Sequence, residues 1–556
     1  MAAQDEPETI RTQARSMTMT RYGVVATSQT LASAAGVKIL EAGGNAVDAA
    51  IAANAVLGLT EPGSNGIGGD LFAIIYEAKT GKLYGLNSSG WAPAGLSIDL
   101  LTAAGETTMP QRGIHSVTVP GAVAGWDAMH KRFGRLPLPR LLAPAIYYAQ
   151  EGFPVTEIIA DFWASDGARP AFTHENANKL YLTNGRGPKP GDLFRNPDLA
   201  RSLKRIATAG RDGFYKGPTA DAIIAISKEY RGTICLADLA EYESEWVEPI
   251  STDYRGWRVS ELPPNGQGIA ALAMLNIMEQ FPLAEYGPET SKALHVMIEA
   301  KKLAYADLLQ YVGDPRFSKI PVPEMISKDL GRERAKLIDS ERATCSVVPS
   351  QLVSTAKMPG ADTIYLSVVD RDGNMVSFIQ SNYLGFGSGV VPAGTGFMLH
   401  NRGGLFTLEK GHPNALAPRK RPINTIIPGF VSKGDTRIAF GIMGGWNQAQ
   451  AHAQFVSNVV DHGMNIQAAL EAPRFTKLTF EGCDVQIESR MPEPVRSELE
   501  RLGHRIQVTA PFSQRVGGGQ AVMRNAEGVN FGGSDPRKDG AALPESPQFT
   551  PLRRSK

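Results

Sequence analysis

Apolar residues recur at helical spacing through most of the first half of the chain. The spacing predicts helices over residues 31–44, 138–151, 219–230, 268–280 and 291–309. The first of these ends at Gly43 and Gly44, which form a C-terminal stop signal. Residues 46–59 are almost wholly small and apolar, which is typical of a helix buried on all sides.

The pattern changes near residue 360, where short β-rich runs replace the helical ones. Residues 364–369 and 375–380 are two such runs, and the Asp-Gly step between them predicts a β-hairpin. Residues 436–443 and 484–489 predict further strands. The Pro359–Gly360 pair predicts an exposed, irregular approach to the first strand. A simple domain boundary would produce the same change in composition.

Charge and hydropathy argue against two classes of partner. The chain has 57 Lys and Arg residues against 56 Asp and Glu residues, a net charge of +1, so we expect no nucleic-acid partner. No apolar run is long enough to span a bilayer, so we expect no membrane partner. The first thirty residues lack the apolar segment of a signal peptide, which favours a cytoplasmic location. A periplasmic or secreted location stays open if a signal has been removed.

The cysteines and histidines do not form recognisable metal motifs. Cys235, Cys345 and Cys483 lie far apart and contain no C-x-x-C pair, so we expect ordinary thiols rather than a disulfide framework or a zinc site. The nine histidines include no H-E-x-x-H motif and no pair at helical spacing. We therefore predict no metal site.

The common catalytic signatures are also absent, and the remaining candidate nucleophile is a threonine. No G-x-S-x-G motif occurs, and the glycine clusters at 66–69 and 441–445 match no phosphate-binding loop. Thr363 opens a predicted strand directly after Asp362. A threonine at the start of a strand is usually structural, so Thr363 alone does not identify a function.

Eight blocks of sequence, in the same order, resemble the γ-glutamyltranspeptidase family over nearly the whole chain. They are residues 43–72, 119–146, 298–317, 362–378, 386–404, 417–422, 441–445 and 534–540. The resemblance implies an α+β fold, the four-layer αββα sandwich of N-terminal-nucleophile hydrolases, with largely antiparallel sheets. It also implies that no cofactor is needed, because the protein supplies the nucleophile, the base and the oxyanion donors.

In this family the chain cuts itself, and the block at 362–378 carries the nucleophile. The resemblance implies that Thr363 attacks the carbonyl of Asp362, dividing the chain into a helix-rich large subunit, 1–362, and a strand-rich small subunit, 363–556, which stay in one globular unit. The free α-amine of Thr363 would then serve as the general base. Ser381 matches a second hydroxyl residue that hydrogen-bonds the nucleophile. Gly444 and Gly445 match the oxyanion hole.

The positions that hold the substrate depart from the family pattern. Ser89 stands in place of an arginine, Tyr383 replaces an asparagine, Arg402 and Leu405 replace a glutamine and an aspartate, and Asn424–Thr425 replace a serine pair. We predict that Ser89, Tyr383, Arg402, Asn424 and Thr425 contact the substrate. The lost aspartate removes the partner of a substrate amine, whereas Arg402 offers a bidentate site for a carboxylate. The alternative for Arg402 is a structural salt bridge.

These departures are similar to those of the divergent branch that includes oxamate amidohydrolase and cephalosporin-acylase-like enzymes. We therefore predict an autoprocessing amidohydrolase whose substrate is a small-molecule amide with a carboxylate on its acyl group. The short loop between Phe406 and Pro418 suggests a reduced lid, which favours hydrolysis over transfer. The alternatives are a true γ-glutamyl transferase or glutathione hydrolase, and a processing-dead binding or scaffold protein. The expected partners are the chain's own two subunits, with a homo-oligomer left open.

Overall fold

Two seven-stranded sheets form the centre of the molecule in the computed structural model, which describes residues 13–350 and 362–547. The Pro359–Gly360 pair lies outside these residues. The strands are Thr18–Thr20 (β1), Val24–Thr27 (β2), Asp70–Glu77 (β3), Lys82–Ser88 (β4), Phe153–Pro154 (β5), Leu193–Phe194 (β6), Glu245–Val247 (β7), Ile250–Tyr254 (β8), Trp257–Glu261 (β9), Asp362–Val369 (β10), Met375–Tyr383 (β11), Gly429–Lys433 (β12), Thr436–Ile442 (β13), Phe475–Thr476 (β14), Asp484–Glu488 (β15), Arg505–Thr509 (β16), Gly519–Arg524 (β17), Asn530–Ser534 (β18) and Ala541–Pro544 (β19).

Helices cover the sheets on both outer sides. They are Thr30–Glu41 (α1), Ala46–Thr60 (α2), Ile98–Ala103 (α3), Ala122–Phe133 (α4), Leu138–Glu151 (α5), Glu157–Ala164 (α6), Glu175–Tyr181 (α7), Pro197–Ala209 (α8), Asp212–Tyr215 (α9), Gly217–Glu229 (α10), Leu236–Ala240 (α11), Gly268–Met278 (α12), Leu283–Tyr286 (α13), Ser291–Tyr311 (α14), Val322–Met325 (α15), Lys328–Ala335 (α16), Gln448–Val460 (α17), Ile466–Glu471 (α18) and Glu493–Arg501 (α19). The helices predicted from apolar spacing all form, within a few residues of the predicted bounds. No helix of the described residues has the length and apolar character that crossing a bilayer requires.

Both large sheets are antiparallel throughout. One, the β10 sheet, has the order β19-β2-β10-β11-β3-β4-β7, and the other, the β13 sheet, has the order β1-β18-β17-β13-β12-β9-β8. The hairpin predicted around the Asp-Gly step is β10–β11, and it lies in the middle of its sheet. Strands from both sides of the Asp362–Thr363 bond contribute to each sheet.

Strand alternation divides the core into three layers. On β10, Ile364 and Leu366 pack with the helices of the first half, whereas Tyr365 faces the other sheet and joins the core between the two sheets. On β13, Phe440 packs against the helices of the opposite outer layer. Gly441 admits the Tyr365 ring, because a Cβ there would lie 2.4 Å from that ring. The predicted four-layer αββα sandwich is therefore confirmed.

The prediction that all three cysteines are ordinary thiols is wrong. Cys345 and Cys483 form a disulfide, with Cα atoms 4.8 Å apart and a separation of 138 positions in sequence. Cys235 is a free, exposed cysteine. The sequence could not reveal this bond, because the two cysteines are far apart in the chain. Only the fold brings the segment after α16 against the start of β15.

Candidate active site

Thr363 lies at the start of the central strand β10 and is fully buried in the intact chain. Its Oγ1 donates a hydrogen bond to Ser381 Oγ on β11, at 3.2 Å. Ser381 Oγ also accepts a hydrogen bond from the Tyr383 backbone N–H at 2.8 Å. The β10–β11 register shifts at this point, between Asp362 and Ile364, and this irregularity sets the two hydroxyl groups side by side. The structure thus brings together the predicted nucleophile and its predicted hydroxyl partner.

Gln448 is a contact of Thr363 that sequence reasoning missed. Its side-chain Nε2 donates to Thr363 Oγ1 at 3.2 Å, while its Oε1 accepts from the Ile427 N–H at 3.0 Å. Because both ends of the amide are used, the Gln448 side chain is held in one orientation. The hydroxyl of Thr363 therefore accepts from one fixed group and donates to another, which fixes its rotamer. No motif in the sequence marks Gln448, although it follows the double glycine closely.

Gly444 and Gly445 form a tight turn between β13 and α17, three residues before Gln448. Both have positive φ, 121° and 60°, a conformation that favours glycine. The Gly445 carbonyl accepts a hydrogen bond at 2.7 Å from Gln267 Nε2, and Gln267 Oε1 in turn accepts from the Tyr305 hydroxyl at 3.2 Å. These buried side chains hold the turn rigid. A glycine turn of this kind can present backbone N–H groups to an oxyanion, and that role of Gly444 and Gly445 remains a prediction.

The five residues predicted to contact the substrate lie together in one buried network. Ser89, Tyr383, Arg402, Asn424 and Thr425 are all fully buried. Arg402 Nη1 donates to Thr425 Oγ1 at 2.7 Å, and the guanidinium lies 4.9 Å from the centre of the Tyr383 ring. Asn424 Nδ2 donates to Ser89 Oγ at 3.0 Å. Substrate contact by these residues remains a prediction, but their proximity is an observation.

Asp70, the first residue of β3, stands at the centre of this network. Its carboxylate accepts from Arg402 Nε at 2.8 Å and from Arg402 Nη2 at 3.1 Å, and it also accepts from Asn424 Nδ2 at 2.8 Å. The structural salt bridge that the sequence left open is therefore present. Arg402 is not a lone cation, because a fully buried carboxylate neutralises it.

The register of β3 connects this ion pair to the predicted nucleophile. Asp70 is the cross-strand partner of Ser381, the residue that contacts Thr363. Sequence reasoning missed Asp70, although one signal was present: an aspartate opens the otherwise apolar strand Asp-Leu-Phe-Ala-Ile-Ile-Tyr. A carboxylate in a buried strand needs a cation or several donors. That requirement points to a buried arginine elsewhere in the chain.

His400 contributes no second positive charge beside the pair. Burial is the main cause that lowers the pKa of His400 to about 4; Asp70 raises this pKa and Arg402 lowers it, each by less than burial does. Its Nε2 lies 2.9 Å from the Thr118 carbonyl oxygen, which accepts a hydrogen bond from the N–H of the neutral imidazole. At neutral pH His400 is thus uncharged beside the Asp70–Arg402 pair.

One group of potential metal ligands exists among the described residues, and it involves none of these site residues. His295, Glu299 and His504 approach one another within 4.8 Å. Lys302 Nζ already lies 2.6 Å from Glu299 Oε1, and the two imidazoles are hydrogen-bonded at 2.8 Å. Burial and the nearby Lys302 lower the pKa of His504 to about 3. The ammonium group occupies the place of a cation, so we assign these residues a structural role.

Removing one member of the Asp70–Arg402 pair strands the other as a buried charge. We expect Arg402→Met and Asp70→Asn each to lower the free energy of unfolding by about 3–5 kcal/mol, and the double variant to cost at least 1 kcal/mol less than the sum. Denaturant unfolding measures the cycle. The half-exposed pair Arg135–Asp372, with N and O 2.9 Å apart, is the matched control, and its coupling should stay below about 1 kcal/mol. Additive losses at Asp70 and Arg402 would contradict the coupling.

Comparison with known proteins places this geometry in a family. Residues 32–545 match the family model described as gamma-glutamyltranspeptidase. The chain is 36% identical to a glutathione hydrolase-like YwrD proenzyme of Bacillus subtilis, over 92% of this chain and 96% of that protein. It is 34% identical to an oxamate amidohydrolase proenzyme of Klebsiella pneumoniae, over 95% and 99% of the two chains.

A solved structure agrees over nearly the full length. The crystal structure of a cephalosporin acylase from Bacillus halodurans superposes with a TM-score of 0.89 at 43% sequence identity, covering 98% of each chain. With a family model spanning most of the chain and relatives above 30% identity over nine-tenths of it, the assignment does not depend on any one motif. The chain belongs to the gamma-glutamyltranspeptidase family of N-terminal-nucleophile hydrolases and is an enzyme of amide hydrolysis and acyl transfer.

Proposed function

We propose that this enzyme cuts itself between Asp362 and Thr363 and then hydrolyses amides of small acyl groups that bear a carboxylate. The observation that supports this most is the setting of Thr363. Its hydroxyl is held between Ser381 and Gln448 at the junction where the family's nucleophile is released. The proenzyme names of the two curated relatives agree with a cleaved precursor.

In the proposed cleavage, Thr363 Oγ attacks the carbonyl carbon of Asp362. The C–N bond to Thr363 breaks, and the acyl group moves from nitrogen to oxygen, forming an ester. Water hydrolyses the ester, which leaves a carboxylate on Asp362 and a free α-amine on Thr363. Ser381 and Gln448 orient the hydroxyl for the attack, so both act as positioning residues.

The same threonine then supplies both nucleophile and base. An α-amine has a pKa of about 8, so a substantial neutral fraction can accept the hydroxyl proton near neutrality. The hydroxyl attacks the substrate carbonyl, and the N–H groups of Gly444 and Gly445 stabilise the oxyanion, each by roughly 3 kcal/mol. The amine product departs, and water hydrolyses the acyl-enzyme.

The acyl group is proposed to bind at the Asp70–Arg402 pair. A guanidinium has five N–H donors, and the contacts with Asp70 and Thr425 use three of them. The remaining two lie on the two terminal nitrogens, where a substrate carboxylate can accept from both. Because Asp70 neutralises the arginine, the donors provide direction more than net charge. The names of the relatives, oxamate amidohydrolase and cephalosporin acylase, fit an acid amide substrate.

Hydrolysis is proposed to exceed transfer because the loop after Phe406 is short and fastened to the protein. Leu416 N donates to the Thr407 carbonyl at 2.9 Å, and Asn414 Nδ2 donates to the Leu405 carbonyl at 2.7 Å. Leu416 packs with Phe406 in a small buried cluster. A loop folded on itself in this way does not extend as a lid, which leaves water free to reach the acyl-enzyme.

A γ-glutamyl substrate is the second candidate, and Asp70 favours it. The lost aspartate of the family pattern had argued against binding of a substrate amine. Asp70 places another carboxylate in the same buried network. Because Asp70 contacts Arg402 directly, a substrate bound at Arg402 would lie close to this carboxylate. A zwitterionic acyl group would then meet an acidic and a basic partner together.

Thr363→Ala removes the hydroxyl that both proposed reactions need. We expect the variant to stay a single chain of about 60 kDa, with no amidase activity, whereas the wild type gives two chains on a reducing denaturing gel. Thr436→Ala is the matched control, since Thr436 also opens a strand of the central sheets but is not part of the site. Cleavage of Thr363→Ala after Asp362 would refute the assignment.

Arg402→Lys keeps a positive charge beside Asp70 but removes the two guanidinium N–H donors that are proposed to bind the substrate carboxylate. We expect kcat/KM for oxamate and a glutaryl amide to fall at least tenfold, and that for a butyryl amide, which lacks the carboxylate, to change much less. A γ-glutamyl anilide, assayed in parallel, tests the second candidate function. If the enzyme acts on γ-glutamyl groups, this anilide should be the best substrate of the wild type. Equal losses on the glutaryl and butyryl amides would rule out the proposed carboxylate contact.

The partition of the acyl-enzyme tests the loop argument. With glycylglycine added as acceptor, we expect wild-type enzyme to form more hydrolysis product than transfer product from the substrate it prefers. Chromatography of both products measures the ratio. A majority of transfer product would show that the site shields its acyl-enzyme from water.

A further inference from the structure

The disulfide joins two parts of the chain that the proposed cleavage would separate. Cys345 precedes the Asp362–Thr363 bond and Cys483 follows it. We infer that the mature enzyme is a covalently linked two-chain molecule. In it, the Cys345–Cys483 bond joins the small subunit to the segment of the large subunit that follows α16, residues 336–350, called the arm below. This inference rests on the proposed cleavage, which turns an intrachain bond into an interchain one.

The surroundings of the bond hold the two cysteines in register. The Gly482 N–H donates to the Cys345 carbonyl at 2.9 Å, and the Ala343 N–H donates to the Leu502 carbonyl at 2.7 Å. The Arg505 N–H donates to the Cys483 carbonyl at 2.7 Å, which attaches Cys483 to the strand that pairs with β15. The first two of these hydrogen bonds join the arm to the small subunit, and the third lies within the small subunit. The arm is thus hydrogen-bonded to the small subunit at Ala343 and at Cys345.

A helix of the large subunit, α14, also contacts the arm and the disulfide. Lys302 on α14 donates through Nζ to the Thr344 carbonyl at 2.9 Å and to Glu299 Oε1 at 2.6 Å. The same Nζ lies 3.9 Å from Cys483 Sγ, and Cys483 is only 1% exposed. One buried lysine therefore contacts the arm, its own helix and the small-subunit cysteine. The disulfide thus joins an exposed cysteine of the large subunit, Cys345, to a buried cysteine of the small subunit, Cys483, where the two subunits meet.

The chemistry of the bond requires an oxidant. Each thiol loses one hydrogen, and together the two thiols give up two protons and two electrons. A small-molecule disulfide such as oxidised glutathione accepts them and becomes two thiols. Reduction by a dithiol reverses the step and frees the arm without breaking any strand pairing of the central sheets.

Denaturing gels of alkylated enzyme, run with and without reductant, test the inference. Purified wild type, oxidised with oxidised glutathione and blocked with iodoacetamide, should give one band near 60 kDa without reductant and two bands with it. Cys345→Ser should give two bands under both conditions, while remaining cleaved and active, because both sheets contain strands of both subunits. Cys235→Ser is the matched control and should behave as wild type. Two wild-type bands without reductant would overturn the inference.

A thiol count separates failure of the link from failure of the cleavage. Thr363→Ala protein, oxidised by dissolved oxygen without added glutathione or iodoacetamide and then unfolded, should show one reactive thiol per chain, from Cys235, because the disulfide does not need the cut. Three thiols per chain would overturn the disulfide whatever the state of cleavage. A single wild-type band under both gel conditions, together with one thiol, would instead refute the cleavage and with it the interchain character of the bond.

Discussion

Strand β10 is hydrogen-bonded on both sides, to β2 and to β11, and most features of the active site depend on that pairing. A strand in the middle of a sheet cannot shift without breaking two ladders. Thr363 at its start is therefore held at one height relative to Ser381, whatever happens to the chain before it. If the bond to Asp362 is cut as proposed, the strand keeps both neighbours, so the hydroxyl of Thr363 stays beside Ser381.

The buried pair of Asp70 and Arg402 is the second constraint, and it works through the low polarity of its surroundings. Removing two charges from water costs several kcal/mol for each ion, which only close, multiple contacts can offset. Here Arg402 has Asp70 and Thr425 as partners, and Asn424 donates to Asp70 as well. The pair is therefore polar but carries no net charge. If it binds the acyl group as proposed, the direction of its donors would select the ligand more than its charge would.

The sequence predicted local features well, because they depend on neighbouring residues. Apolar spacing located the helices, and the Asp-Gly step located the β10–β11 hairpin, on which Thr363 and Ser381 meet. The resemblance also selected the polar residues that the fold gathers around Arg402. What it could not predict are contacts across long stretches of chain. Asp70 lies 332 residues from Arg402, and no pattern of spacing links the two.

The same reason explains the missed disulfide and the missed contact of Gln448. Cys345 and Cys483 carry no spacing signal, and their bond depends on how an arm without regular structure lies against β15. Gln448 contacts Thr363 from a helix of the opposite layer, 85 residues away in sequence. The Gln448 contact joins elements that only the stacking of the two sheets brings together, whereas the disulfide joins an irregular segment to the start of a strand in a third, three-stranded sheet, β14-β15-β16.

The proposed catalytic residues and the proposed binding residues lie on different kinds of element, and this difference explains how relatives with different names can share one fold. Thr363 and Ser381 belong to central strands, whose pairing tolerates little change. Arg402 lies in a single 3₁₀ turn, and Asn424 and Thr425 lie in the irregular segment before β12. Residues on such segments can change without disturbing a ladder, as binding residues on loops commonly do. If these residues hold the acyl group as proposed, an exchange of polar groups there would alter which acyl group is held, while Thr363 and the strand that carries it would stay in place.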